Sequence, residues 1–166
     1  VRPASANVDQ ALVVFAITQP DPNFNLLDRF LIMMLAQDIP VTICFNKTDL
    51  ENGAKQQEYR SIYEQAGYPV MFVSTYEKSG VEAVRDYLRG KTTILAGPSG
   101  VGKSSLTNLL QPEAAMETGS ISEKIKRGKH TTRHAELFCV EEDTYLMDTP
   151  GFSTLYLEGW EKEDLK

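Results

Sequence analysis

The sequence predicts an α/β protein, a three-layer sandwich around a mostly parallel sheet, and three observations carry that expectation. Short apolar runs alternate with amphipathic ones, the order expected of strands joined by crossover helices. The runs are apolar at nearly every position, as strands buried on both faces require. A glycine-rich turn at residues 97–102 follows one run and opens a helical pattern. The first strand is Leu12–Ile17, too short and too continuous for an amphipathic helix. Leu26, Leu27, Phe30, Leu31, Met34 and Leu35 then form an apolar helical stripe, with Asn25 placed to cap its start. Val41–Phe45 is the second strand. Tyr59, Ile62, Tyr63 and Ala66 mark a second helix, closed by Gly67 and Pro69. After the strand Val70–Val73, Ser79 and Glu82 read as a capping box ahead of Val81, Val84 and Leu88, and Gly90 ends that helix. Thr92–Ala96 is the fourth strand, and Lys103–Leu110 a helix that runs until Pro112. Residues 113–134 are polar, with Gly119 and Gly128, and read as a long mobile loop of the kind that usually carries function. Glu136–Val140 and Tyr145–Met147 close the pattern as a hairpin.

Composition bounds the function. At 166 residues, one domain with a self-sufficient core is expected. Its 42% hydrophobic and 24% charged content excludes a disordered tail or a disulfide-dense module. The net charge of −6 argues against general attraction to nucleic acid or anionic lipid. No apolar run reaches the ~18–20 residues of a membrane helix, so no membrane partner is expected. The ends, Val1-Arg2-Pro3 and Lys166, point to a piece of a longer chain. Cys44 and Cys139 lie far apart on strand-like runs and read as two buried thiols in a reducing, cytoplasmic setting.

Chemistry concentrates in four motifs. Gly97-Pro98-Ser99-Gly100-Val101-Gly102-Lys103-Ser104, followed by Ser105, matches the phosphate-binding loop of P-loop NTPases in the strand–turn–helix context it needs. Its glycines let main-chain N–H groups wrap a phosphate at a helix N-terminus. Lys103 would bridge β- and γ-phosphates, and Ser104 would ligate Mg²⁺. Asp148-Thr149-Pro150-Gly151 ends the last strand, with Asp148 placed to hold Mg²⁺ through water and Gly151 to offer its N–H to a γ-phosphate. Asn46-Lys47-Thr48-Asp49 is the base-selecting element. An ionised Asp49 pairs with the adjacent N1–H and amine of guanine, whereas adenine presents an acceptor there and leaves the carboxylate unpaired. Asn46 is expected at the other edge and local backbone, with the Lys47 stem over the ring. Ser74 and Thr75 are the candidates for main-chain N–H contact with the guanine oxygen. Together the motifs read as a GTP-binding domain.

Their order is unusual, because Asn46–Asp49 and Ser74 precede Gly97–Ser104, and Asp148–Gly151 comes last. In this the chain resembles the circularly permuted GTPases of the RsgA (YjeQ) family. Further matching pieces are Arg2-Pro3, Ala6-Asn7-Val8-Asp9-Gln10, Asn46–Leu50, Gly97–Leu106, Arg127-Gly128-Lys129-His130-Thr131-Thr132 and Asp148–Phe152. The resemblance implies a circularly permuted GTPase domain over residues 1–152, with 153–166 a post-switch segment leading toward a C-terminal zinc module. That module and the family's N-terminal oligonucleotide-binding barrel are expected to lie outside these residues, so zinc is expected only in the missing module. The resemblance further implies GTP hydrolysis with Mg²⁺, coupled to late maturation of the small (30S) ribosomal subunit. Thr131 or Thr132, with Thr132 preferred, would reach Mg²⁺ when GTP is bound. Lys124, Lys126, Arg127, Lys129 and Arg133, with no acid among residues 124–134, form a basic stretch suited to rRNA phosphates. Phe152 stands where ordinary small GTPases carry a water-orienting glutamine, so intrinsic turnover should be slow until ribosomal subunits stimulate it. His130, another loop group or the partner particle would then position the water. A monomer is the default. Two other readings remain open at this point, a guanylate kinase-like phosphotransferase and a non-catalytic GTP-dependent ribosome-binding module.

Overall fold

The computed structural model describes residues 8–111 and 136–148. Its elements are β1 (Gln10–Ala16), α1 (Phe24–Ala36), β2 (Val41–Asn46), a single 3₁₀ turn (Thr48–Leu50), α2 (Ala54–Gln65), β3 (Val70–Phe72), α3 (Val81–Leu88), β4 (Thr92–Ala96), α4 (Lys103–Leu110), β5 (Glu136–Glu141) and β6 (Thr144–Asp148). The sheet order is β3-β2-β1-β4-β6-β5. All pairings are parallel except β5 with β6, the expected hairpin.

Alternate residues of β1 feed two cores, which is what makes three layers. Ala11, Val13 and Phe15, with Ile17 just beyond the strand, join Val41, Ile43 and Phe45 under α1 and α2. Leu12, Val14 and Ala16 face the other way, with Cys44, under Val81, Val84 and Leu88 of α3 and Leu106 and Leu110 of α4. Every residue of β1 is buried, so its continuous apolar run follows from having a helix layer on each side. Phe30 of α1 meets Phe15 edge-on at 6.1 Å, and Phe24 meets Tyr59 of α2 at 5.2 Å, which fixes how the two helices lie on the sheet.

Several local expectations are corrected. Asn23, not Asn25, caps α1, its side-chain oxygen accepting the Leu26 N–H at 3.1 Å. The helix starts two residues earlier than the apolar stripe, at Phe24, so the cap moves with it. The capping box of Ser79 and Glu82 does not form. Gly80 is the N-cap of α3, Ser79 is paired through its backbone with Ser74, and Glu82 instead reaches Arg85 at 3.6 Å. Leu35 and Ile62 belong to the helical stripes yet point to solvent. Cys44 is buried as expected, but Cys139 is exposed, because β5 is the edge strand of the sheet. Residues 113–134 and 149–166 lie outside the described residues, and with them the expected long loop and post-switch segment.

Candidate functional site

Register brings the motifs to one edge. Ala16 pairs with Asn46, Phe45 with Phe72, Val13 with Ala96 and Leu95 with Asp148, so the C-terminal ends of β1, β2, β3, β4 and β6 open together. In open α/β sheets this edge is where ligands bind.

Gly97 leaves β4 with φ 150 and passes so close to the Val14 carbonyl oxygen that a Cβ would overlap it. Pro98, Ser99 and Gly100 continue the loop outward, Val101 turns back into the core, and Gly102 enters α4 with φ 94. Lys103, Ser104 and Ser105 form the first turn of that helix, with both serines exposed and no acid among them. The turn therefore presents the positive end of a helix dipole toward the open edge.

Asn46 ends β2 and is completely buried. Its carboxamide nitrogen donates to the Val101 carbonyl at 2.9 Å and to Thr75 Oγ1 at 3.3 Å, while its oxygen accepts the Thr75 N–H at 3.0 Å. A Cβ on Gly102 would overlap this same nitrogen. The local-backbone part of the role expected of Asn46 is seen here, with both ends of the amide bracing the phosphate loop against the Ser74–Thr75 loop. Lys47 adopts a left-handed backbone (φ 66), and its Nζ donates to the carbonyls of Gln19 at 2.6 Å and Gly100 at 3.0 Å. The stem of Lys47 is thus pinned between the β1–α1 connection and the phosphate loop. Thr48 anchors its turn by sending both Oγ1 and N–H to the Val73 carbonyl, at 3.0 and 3.2 Å. Asp49 accepts the Ser74 hydroxyl at 2.6 Å. A carboxylate has two oxygens, so this bond orients Asp49 without exhausting it.

The Ser74–Thr75 expectation is corrected in one respect. The Ser74 N–H is paired with the Ser79 carbonyl and the Thr75 N–H with Asn46, so neither main-chain donor remains for a ligand. Asp148 ends β6, half-buried and beside the strand that delivers the phosphate loop. Ser104 and Asp148 supply a hydroxyl and a carboxylate, hard oxygen donors of the kind Mg²⁺ takes while keeping most of its shell for water and phosphate. Among the described residues no group of three or more His, Cys, Asp or Glu forms a metal cage. His130, Thr131, Thr132, Gly151 and Phe152 lie outside the described residues, as do the basic positions 124–133.

Three contributors escape motif reading: the Gln19 carbonyl, the Val101 carbonyl and Arg85. Arg85 sends its guanidinium to the carbonyls of Leu109 and Leu110 at 3.0 and 2.9 Å, closing the C-terminus of α4. Carbonyls carry no sequence signature. An arginine on the polar side of an amphipathic helix looks like a solvated charge until its neighbour is known.

The RsgA GTPase family profile matches residues 1–158. A small ribosomal subunit biogenesis GTPase RsgA from Agathobacter rectalis is 62% identical over 99% of this chain and 55% of its own length. One from Alkaliphilus metalliredigens is 51% identical over 99% and 56%. The chain thus spans about half the length of the curated relatives it matches. Among solved structures, YjeQ from Thermotoga maritima superposes with a TM-score of 0.68 at 30% identity, covering 90% of this chain and 50% of that one. YloQ, described as a circularly permuted GTPase, gives 0.66 at 38% identity, covering 90% and 46%.

Proposed function

The chain belongs to the RsgA GTPase family, and from that premise we propose that it binds GTP and GDP through the guanine base and hydrolyses GTP during late maturation of the small ribosomal subunit. The observation that carries this reading is Asn46, a buried amide that ties the phosphate loop to the loop beside Asp49. Such a brace sets the distance between a phosphate cradle and a base-reading carboxylate, which is what a guanine nucleotide spans.

Binding would proceed from both ends. The N–H groups of the Gly97–Gly102 loop and the first turn of α4 receive the phosphates, with Lys103 between the β- and γ-groups. Asp49, held by Ser74, accepts the two adjacent donors of guanine and rejects adenine by being left unpaired. Ser104, Asp148 and, outside the described residues, Thr132 would hold Mg²⁺, which neutralises charge on the γ-phosphate. Gly151 would donate to that phosphate. Phe152 cannot hydrogen-bond water, so slow basal turnover is expected, with His130 or the ribosomal particle supplying the missing contact. The basic stretch 124–133 would meet rRNA, and a monomer acting in the cytoplasm is the simplest form of this role. Among the described residues no helix is long and apolar enough to cross a membrane.

A guanylate kinase-like phosphotransferase leaves the Asn46–Asp49 turn without a task, and nothing favours a purely non-catalytic ribosome-binding module. Competition against a fluorescent GDP analogue by GDP, GTP, ATP and GMP, with Asp49→Asn alongside, tests the binding half. Displacement by GDP and GTP alone, lost in the variant, is the expected result, and equal displacement by ATP sinks it. Stimulation of phosphate release by small ribosomal subunits tests the catalytic half.

A further inference from the structure

Of the asparagines in this sequence, only Asn52 is followed by glycine. The pair lies in the short connection between the Thr48–Leu50 turn and α2. Asn52 is exposed to water, yet its side chain is held. Its Oδ1 accepts the Ala54 N–H at 3.2 Å, a turn that folds the carboxamide back over its own main chain. Gly53 follows with φ 102, and a Cβ built there would meet nothing within 4 Å. With no side chain of its own and open space around it, the Gly53 nitrogen is free to be approached.

A carboxylate stands on that nitrogen. Glu51 Oε2 accepts the Gly53 N–H at 2.8 Å and the Lys55 N–H at 3.3 Å, while Oε1 accepts Gln56 Nε2 at 3.0 Å. These donors hold the carboxylate in place, within the ~2.6–3.2 Å reach that a general base needs. On the other side, the Ala54 N–H opens α2 at the positive end of its dipole and polarises the Asn52 carbonyl. Nucleophile, base and oxyanion donor therefore meet within residues 51–54.

We propose that Asn52 is a site of self-modification, converted to aspartate and isoaspartate faster in the folded chain than in an unfolded one. The Gly53 nitrogen attacks Asn52 Cγ and closes a succinimide ring, and Glu51 takes the proton that the nitrogen gives up. The bond from Cγ to the side-chain nitrogen then breaks, and the proton returns from Glu51 to that nitrogen, which leaves as ammonia. Water opens the ring at either carbonyl. One opening restores the main chain with an aspartate at this position. The other routes the main chain through Cβ, as isoaspartate. Either product places a new carboxyl group on the cavity that Asp49, Glu51 and Lys55 also line.

Incubation in neutral buffer, followed by proteolysis and mass spectrometry, reads the exchange of amide for carboxyl at Asn52. The samples are the 166-residue chain, its Glu51→Gln variant, and a peptide of residues 50–55 with the same sequence and no fold. The folded chain should convert several times faster than the peptide, into two products of equal mass that chromatography separates. Glu51→Gln keeps an oxygen for the Gly53 and Lys55 N–H groups but takes no proton, so it should slow the folded chain by about tenfold or more. The same replacement in the peptide should change the rate little. A folded chain that converts no faster than the peptide overturns the inference, because the bonds at Asn52 and Gly53 then lock the turn against ring closure. A Glu51→Gln chain that matches the parent overturns it as well, since the carboxylate then has no part. Amide hydrogen exchange in α2 separates chemistry from folding. Slowing with unchanged exchange supports the base, whereas slowing with faster exchange in α2 counts as lost structure and sinks the proposal.

Discussion

The carboxamide nitrogen of Asn46 donates to the main-chain oxygen of Val101 at 2.9 Å, across 55 positions of sequence. One buried amide therefore joins the end of β2 to the phosphate loop, and through Thr75 to the loop after β3. Truncating it removes two partners from buried main-chain groups, and such groups cost about 1–3 kcal/mol each when left unpaired. Asn46→Ala is expected to lower stability by roughly 2–4 kcal/mol and to abolish measurable GDP binding. Denaturant unfolding and nucleotide titration on the same sample check both.

Gly102 and Gly100 sit in one loop and take similar left-handed backbones, with φ 94 and 83, but only Gly102 faces an obstacle. A Cβ there overlaps the Asn46 nitrogen, whereas Gly100 has open space around it. Gly100→Ala should cost about 1 kcal/mol of backbone strain. Gly102→Ala adds displacement of the Asn46 brace and should reduce GDP affinity far more than Gly100→Ala. Equal losses in a paired titration would show that backbone conformation alone decides.

Ser74 donates to Asp49 at 2.6 Å and so aims the carboxylate. Hydrogen bonds to charged groups are worth about 1.5–3 kcal/mol, less where solvent competes. Ser74→Ala should weaken GDP binding roughly tenfold and lower stability by about 1–3 kcal/mol, because the hydroxyl also accepts the Glu77 N–H. A drop in affinity for ATP of the same size would mean that the effect does not pass through Asp49.

The two cysteines should react differently. Burial pushes the Cys44 thiol from its usual 9.0 up to about 12, whereas Cys139 is exposed on the edge strand. One equivalent of a thiol reagent should label the folded chain at neutral pH, at Cys139, and a second only after unfolding. Mass spectrometry of the labelled peptides reads this directly.

Alkaline pH should destabilise the fold through the same thiol. Between pH 9 and about 12 the unfolded chain has lost the Cys44 proton and the folded chain retains it. The unfolded state then binds fewer protons, so stability falls as pH rises, by up to about 1.4 kcal/mol per unit. Tyr63, pushed up to about 12 by burial and then by the charge of Asp28, acts in the same direction. The melting temperature should hold below pH 9 and decline above it, less steeply in Cys44→Ala.

Much of this was legible before any coordinates. The apolar runs at Leu12–Ile17 and Val41–Phe45 could only be strands covered on both faces, and both lie in the sheet's centre. The phosphate loop and Asn46–Asp49 declared themselves because glycine, lysine and carboxylate chemistry needs fixed side chains at fixed spacing. Errors came where a residue had two partners available. Asn25 and Ser79 each offered a plausible cap, but a cap is decided by where the helix axis begins, and that depends on packing against the sheet.

The sequence by itself determined which side chains carry chemistry suited to phosphate, metal and base, since those identities follow from local chemistry. Only the tertiary structure decided what each motif does for the others. It turned Asn46 inward and spent the Ser74 and Thr75 N–H groups. The physical reason is that a hydrogen bond between loops depends on how neighbouring strands align at one edge, and no stretch of sequence carries that alignment alone.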